Sequence, residues 1–320
     1  MSHYESGDLE QLALRLKQGD AGARRVAVMD LAESAHEPGA GRLLLVALHD
    51  ADSSVRAEAA KVIDEFPAEE LTEALIGALT APDENVRNAA ARALADLKDP
   101  AAGTALLTAL EAAADPFVLA ATLRALRNLR HEPALQSGLK LLAHEHDAVR
   151  HEAVGLLGYL RRPETMAEIA RLALSDRQPE VRRQSVAALV SGDPDTVGRT
   201  LIRAITDADW QVRAESASVI GRLKIASGIP ALIQATQDVS WQVREKAVEG
   251  LGHLGAATAL PAIGRCATDE ISNLRKAAVT AIGEIADAEG RRYLEPALRD
   301  SDPDVRKMAR WALDRIGRAA

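Results

Sequence analysis

One arginine recurs along this chain every 31 or 32 residues, and no other feature restricts the possible folds so tightly. It stands at Arg24, Arg56, Arg87, Arg150, Arg182, Arg213, Arg244, Arg275 and Arg306, with Leu119 filling the one missing slot. The flanking strings share a frame, as in DADWQVRAESASVIGRLK (207–224) and DVSWQVREKAVEGLGHLG (238–255). A fixed period of this length marks stacked supersecondary units, each too small to bury its own apolar face. The two or three globular domains that 320 residues would otherwise suggest are therefore set aside.

Each unit reads as two helices, here A and B, joined by short turns. Helix B opens near an Asp four residues before the anchor: Asp20, Asp52, Asp83, Asp115, Asp209 and Asp302. Asp at that point accepts from free N–H groups of the first turn. Gln178 and Ser240 depart from this in their units. Apolar residues fall at −1, +3, +4, +7 and about +10 from the anchor, for example Val243, Ala247, Val248, Leu251 and Leu254, which is helical spacing and not strand alternation. Helix A precedes, as at Leu232–Gln237. Gly158, Gly221, Gly252 and Gly283 share offset +8, where a mid-helix Gly costs roughly 1 kcal/mol against Ala, so the paired helix is expected to approach closely there. The anchor Arg is expected to sit beside the preceding unit's Asp and to bridge adjacent turns. The composition agrees with packed helices: 47% of residues are hydrophobic but only 2% aromatic, leaving Ala, Leu and Val to fill the core.

The unit resembles the short HEAT-like repeats of the phycobilisome-lyase type, which read approximately D-x-D-P-x-V-R-x-x-A-A-x-A-L-G-x-I-G. The resemblance spans essentially the whole chain from about residue 8. It implies an all-α solenoid of about ten two-helix repeats, with residues 1–7 as a tail and 8–320 as one stack ending in capping helices. The first helix is expected at about Asp8–Lys17 and the last at about Asp302–Gly317. It also implies that B helices line a concave groove. Offsets −3, −2, +1, +2 and +5 then present Phe117, His151, Glu152, Arg183, Trp210, Gln211, Glu215, Trp241, Gln242, Glu245, Lys246 and Trp311 to a partner. Trp210 and Trp241 share one offset and should be neighbours. They either anchor an interface, where Trp is enriched, or cover the helix starts of the stack.

Composition narrows the function. The single cysteine, Cys266, excludes a disulfide framework and a CxxC zinc site, and reads as a buried helix A residue. No apolar run reaches membrane-spanning length, and the N-terminal MSHYESGDLEQ has no signal-peptide pattern, so a cytoplasmic protein is expected. The formal charge of −8 weighs against a general nucleic-acid binder. Residues 1–117 hold 10 Lys+Arg against 21 Asp+Glu, an acidic surface suited to a basic partner. VRHEAVGLLG (149–158) is similar to a ligand helix of deoxyhypusine hydroxylase, with His151 and Glu152 as candidate ligands. That enzyme needs four His-Glu pairs, and the equivalent positions here (Ala57-Glu58, Asn88-Ala89, Arg183-Gln184, Ala214-Glu215 and Glu245-Lys246) do not repeat it. No metal or other cofactor is expected. The leading expectation is a non-enzymatic scaffold, chaperone or assembly factor that binds a protein. The alternatives are a bilin-lyase-like or cofactor-maturation subunit acting on a protein client and, more weakly, a HEAT-like DNA glycosylase.

Overall fold

The protein is described by a computed structural model covering residues 5–82 and 84–319. Among these residues there are twenty α-helices and no strand. The chain divides into two compact units, Met1–Leu160 and Arg161–Ala320. The first holds α1 (Glu5–Gln18), α2 (Ala21–Glu33), α3 (Ala40–Leu48), α4 (Ser53–Val62), α5 (Ala68–Ala78), α6 (Glu84–Asp96), α7 (Ala102–Ala112), α8 (Pro116–Asn128), α9 (Leu135–Leu141) and α10 (Asp147–Leu160). The second holds α11 (Met166–Ser175), α12 (Pro179–Ala188), α13 (Pro194–Ala204), α14 (Trp210–Arg222), α15 (Ile229–Ala235), α16 (Trp241–His253), α17 (Leu260–Cys266), α18 (Ser272–Ile285), α19 (Arg291–Ala297) and α20 (Pro303–Ala319). Odd numbers are A helices and even numbers B helices, so the fold is an α-solenoid of two-helix repeats.

Within each unit the B helices stack on one another: α2 on α4, α6 on α8, α8 on α10, and α12, α14, α16, α18 and α20 in sequence. Each also packs on the A helix of its own repeat, as α15 does on α16. The core is the seam between these layers. Val243, Ala247, Val248 and Leu251 are fully buried there, and Leu254 is half-buried at the helix end. The last helix is amphipathic: Val305, Ala309, Ala312 and Ile316 are buried while Lys307, Arg310, Asp314 and Arg315 are exposed. The first begins at Glu5, three residues earlier than the periodicity suggests.

The capping aspartates behave as their chemistry dictates. Asp20, Asp52, Asp115 and Asp209 accept first-turn N–H groups, and Asp302 accepts from Asp304. Gln178 and Ser240 make no side-chain cap. Asp83 lies outside the described residues.

The anchor arginine does not pair with the preceding unit. It reaches forward, to an Asp 25 or 26 residues later that stands six residues before the next anchor. Arg213 donates through Nε and Nη2 to Asp238 at 2.7 and 2.9 Å, and through Nη1 to the carbonyls of Asp207 and Ala208 in its own loop. Asp238 in turn accepts from the Ser240 N–H, and its carbonyl accepts from Arg244. The same rung joins Arg182 to Asp207, Arg244 to Asp269, Arg275 to Asp300 and, in the first unit, Arg24 to Asp50. The reason is reach: the guanidinium fork fills one carboxylate edge in the next loop while its remaining donor ties down its own loop. The rungs are missing where the Asp is missing. Ala81 faces Arg56 in the register and Ala113 faces Arg87, and among the described residues both arginines hold only their own loop carbonyls.

Gly221, Gly252 and Gly283 at +8 also act between repeats and not within one. A Cβ on Gly221 would lie 2.5 Å from Gly250 Cα of α16, and one on Gly252 would lie 2.9 Å from Ala281 Cα of α18. Three residues further on, B helices end in a left-handed residue: Arg130, Arg161, Lys224 and Ala286 at φ 53–57°, and Gly255 at 61°. Only glycine adopts that conformation without steric cost.

Two outcomes are expected. The Arg275 guanidinium holds Asp300, and the Arg24 guanidinium Asp50, below the ordinary carboxylate range. At Asp207 and Asp238 burial pushes upward, and the arginine hydrogen bonds, the N–H groups of Asp209 and Ser240 and the neighbouring arginine charges together outweigh it. A carboxylate lowered in the folded state adds stability that is present above the unfolded value of about 3.9 and is lost as pH falls through its own lower value. Asp238→Asn should therefore cost about 2 kcal/mol near pH 7 and shallow the acid limb of Tm against pH; calorimetry from neutral to strongly acid pH reads both, and an unaltered limb contradicts the assignment. Ala286→Gly should stabilise by roughly 0.5–1 kcal/mol by relieving its φ, read as a rise in Tm.

Candidate functional site

Trp210 and Trp241 are the first residues of α14 and α16. N-capping places them: the preceding Asp209 and Ser240 are extended, and the chain turns into the helix at the tryptophan. They consequently lie at the edge of the stack where A-to-B loops run. Trp210 is 37% exposed and Trp241 half-buried, and no ring contact joins them among the described residues. Val239, two residues before Trp241, is 91% exposed. This valine was not singled out by the periodicity, although its loop position five residues before Arg244 is legible in the sequence. Gln211 is exposed, and Gln242 and Glu215 are half-buried.

Further along α16, Glu245, Glu249 and His253 line a furrow of about 520 Å³ with Asn273, Lys276, Thr280 and Glu284 of α18. Lys246 pairs with Glu249 at 2.7 Å. Burial pushes the Glu245 carboxyl up; Lys246 opposes this and Glu249 reinforces it. Arg183 is held by Glu180 of its own helix at 2.9 Å. Trp311 lies on α20, 38% exposed, over Gly283, with the Arg315 guanidinium 5.6 Å from its ring centre.

In the first unit, Phe117 is half-buried in the first turn of α8, where its N–H donates to Asp115. His151 is half-buried. Glu152 is not presented to a partner: its side chain is 5% exposed. Arg124 donates to Glu152 Oε1 through Nε and Nη2, and Arg127 to Oε2 through Nη1. The reason is position: +2 on α10 faces α8, and the two arginines of α8 close over it. Burial works against the Glu152 carboxylate, but the adjacent His151, the hydrogen bonds from Arg124 and the charges of Arg127 and Arg124 hold its carboxyl below the usual range. Its oxygens are thus taken by guanidinium donors. No group of three or more His, Cys, Asp or Glu gathers to hold a metal among the described residues. No helix of the described residues is long and apolar enough to cross a membrane.

Cys266 closes α17 in the core, its thiol directed to the Thr236 carbonyl at 3.7 Å. Burial pushes it up to about 11, so the reactive thiolate is scarce at neutral pH. Its reaction with a thiol-specific reagent in native buffer should be slower than that of free cysteine by well over tenfold and should accelerate on unfolding; prompt stoichiometric labelling of the native chain would contradict this.

The HEAT-repeats family model matches residues 41–127, 135–198, 198–277 and 265–320. The chain belongs to the HEAT-repeat family. Its fold is similar to that of an engineered protein seen in a crystal structure, with 23% identity over 97% of this chain and 99% of that one and a TM-score of 0.50. It is also similar to Kap95p in its structure with RanGDP, at 16% identity and a TM-score of 0.62, covering 98% of this chain and 52% of that one. The karyopherin Kap121p, bound to the extreme C-terminus of the protein phosphatase Cdc14p, matches at 14% identity and a TM-score of 0.56, over 99% of this chain and 42% of that one. The chain spans about half the length of these karyopherins or less. No curated protein shows significant sequence similarity to it.

Proposed function

We propose that this protein is a non-enzymatic scaffold or assembly factor that binds a protein partner through its B-helix face and the adjoining loop edge. The observation that carries this reading is the pair Trp210 and Trp241 at one register on neighbouring helices, with the highly exposed Val239 between them in sequence. The exposed Trp210 and Val239 and the half-buried Trp241, with Gln211, Gln242, Glu245 and Lys246 nearby in sequence, have the make-up of an interface centre. HEAT-repeat neighbours of similar fold supply a supporting analogy, since Kap95p is seen with RanGDP and Kap121p with a segment of Cdc14p. The acidic surplus of residues 1–117 adds a surface that would favour basic partners. The resemblance to phycobilisome-lyase repeats adds a variant of the same reading, in which the client protein carries a cofactor.

The test is affinity capture from native lysate, followed by binding measurements with the partner so identified. Trp210→Ala combined with Trp241→Ala is expected to weaken that complex by at least about 2 kcal/mol. Its stability should fall less than that of Leu251→Ala, a core truncation costing on the order of 2–5 kcal/mol. A large fall in Tm with unchanged affinity would show instead that the tryptophans cover helix starts.

A further inference from the structure

The first unit carries a strong acidic surplus in sequence, but cationic side chains gather on its α6, α8 and α10 helices. Arg92 stands at +5 on α6 and Arg124 at +5 on the neighbouring α8, with Arg127 one turn on and His151 at +1 on α10. The buried Glu152 organises this cluster. Arg124 gives it two hydrogen bonds at 2.9 and 2.6 Å, Arg127 one at 3.0 Å, and His151 Nδ1 lies 3.8 Å away. One carboxylate thus holds two guanidinium groups, leaving a net positive charge. Arg124 Nη1 and Arg127 Nη2 remain as donors, and the Arg124 side chain is 47% exposed. Arg92 is exposed and makes no hydrogen bond or ion pair among the described residues.

We propose that this cradle binds an acidic polypeptide segment, whose carboxylates take the free guanidinium donors of Arg124 and Arg127 and then meet Arg92 one helix away. The proposal rests on the B-helix face being the binding surface. The donors are already fixed in place by a buried anion, so little side-chain entropy is lost when a carboxylate docks. Cations one helix apart, about 8–10 Å, suit carboxylates spread along a peptide. A nucleic-acid backbone needs a continuous positive field to neutralise its dense phosphates. Here Asp96 lies one turn beyond Arg92 on the same helix, and the whole chain is acidic at −8.

Fluorescence anisotropy with a labelled deca-glutamate peptide and the full chain tests this, at about 50 mM salt. Saturable binding is expected, weakening steeply as salt rises. Arg92→Glu, which loses no internal partner, should keep its Tm and weaken binding at least fivefold. Arg124→Lys, which keeps the charge beside Glu152 but not the fork, should weaken it at least threefold. Arg222→Glu in the second unit should leave it unchanged. No binding by the wild-type chain, or equal binding by Arg92→Glu and Arg124→Lys, overturns the proposal. Tighter binding of an equally charged single-stranded oligodeoxynucleotide, lost in the same variants, overturns it in favour of nucleic acid. If deca-glutamate fails while capture of a partner still depends on Trp210 and Trp241, this inference alone falls. If deca-glutamate binds as expected while those tryptophans prove irrelevant to partner binding, the tryptophan edge falls and the cradle stands.

Discussion

The forward reach of the anchor arginine to an aspartate of the next loop is the interaction on which the stack depends. In a repeat fold every unit leans mainly on its neighbours, so whatever fixes one loop against the next fixes the register of the whole series. Arg182, Arg213 and Arg275 do this through Nε and Nη2 and Arg244 through Nη2, each binding an aspartate whose carboxylate also accepts from its own helix start and whose carbonyl accepts from the following arginine. The rung from Arg244 is the loosest, with both contacts to Asp269 at 3.2–3.3 Å and a buried Nε without a partner. The ladder is continuous from Arg182 to Arg306, and the helix seam beside it is correspondingly regular.

The first unit is coupled differently. Among the described residues its ladder has one rung, Arg24 to Asp50, and then meets Ala81 and Ala113, where a methyl group cannot accept a hydrogen bond. Leu119 then replaces the anchor itself and is buried at the same register. Cohesion over these repeats comes from apolar packing and from carboxylates placed elsewhere: Glu58 between Arg25 and Lys61, and Glu152 between Arg124 and Arg127. Nearest-neighbour coupling of unequal strength gives unequal local opening free energies along the chain. Amide exchange is expected to reach deepest in the repeats around α4, α5 and α6.

The fold was largely legible because a period of 31 residues repeats its main signals: the anchor and the apolar stripe of α16 recur in α14 and α18. The direction of the arginine was not, because the aspartate at −6 lies in a loop beside the aspartate at −4. Helix-cap logic assigns a role only to the second. Of the candidate site, the exposure of Trp210 followed from its offset, whereas the burial of Glu152 did not. An offset names a face, but the length of a facing Arg124 or Arg127 decides whether that face is covered. Nothing in the sequence sets Val239 apart, because a lone valine in a loop carries no periodic signal.

The +8 slot draws these observations together. Glycine there lets α14 and α16 touch backbone to backbone, and in α8 the same slot holds Arg127, whose side chain spans to Glu152. A repeat can thus spend this position on contact or on chemistry, but not on both. Closure of the seam removes the space a functional group would occupy, and a functional group acts as a spacer that keeps the helix ends apart. One residue per repeat thereby works as a hinge-pin of variable thickness. Substitution at this position would be expected to adjust local pitch and local reactivity together, so that shape and binding capacity in such a stack are inherited as one trait.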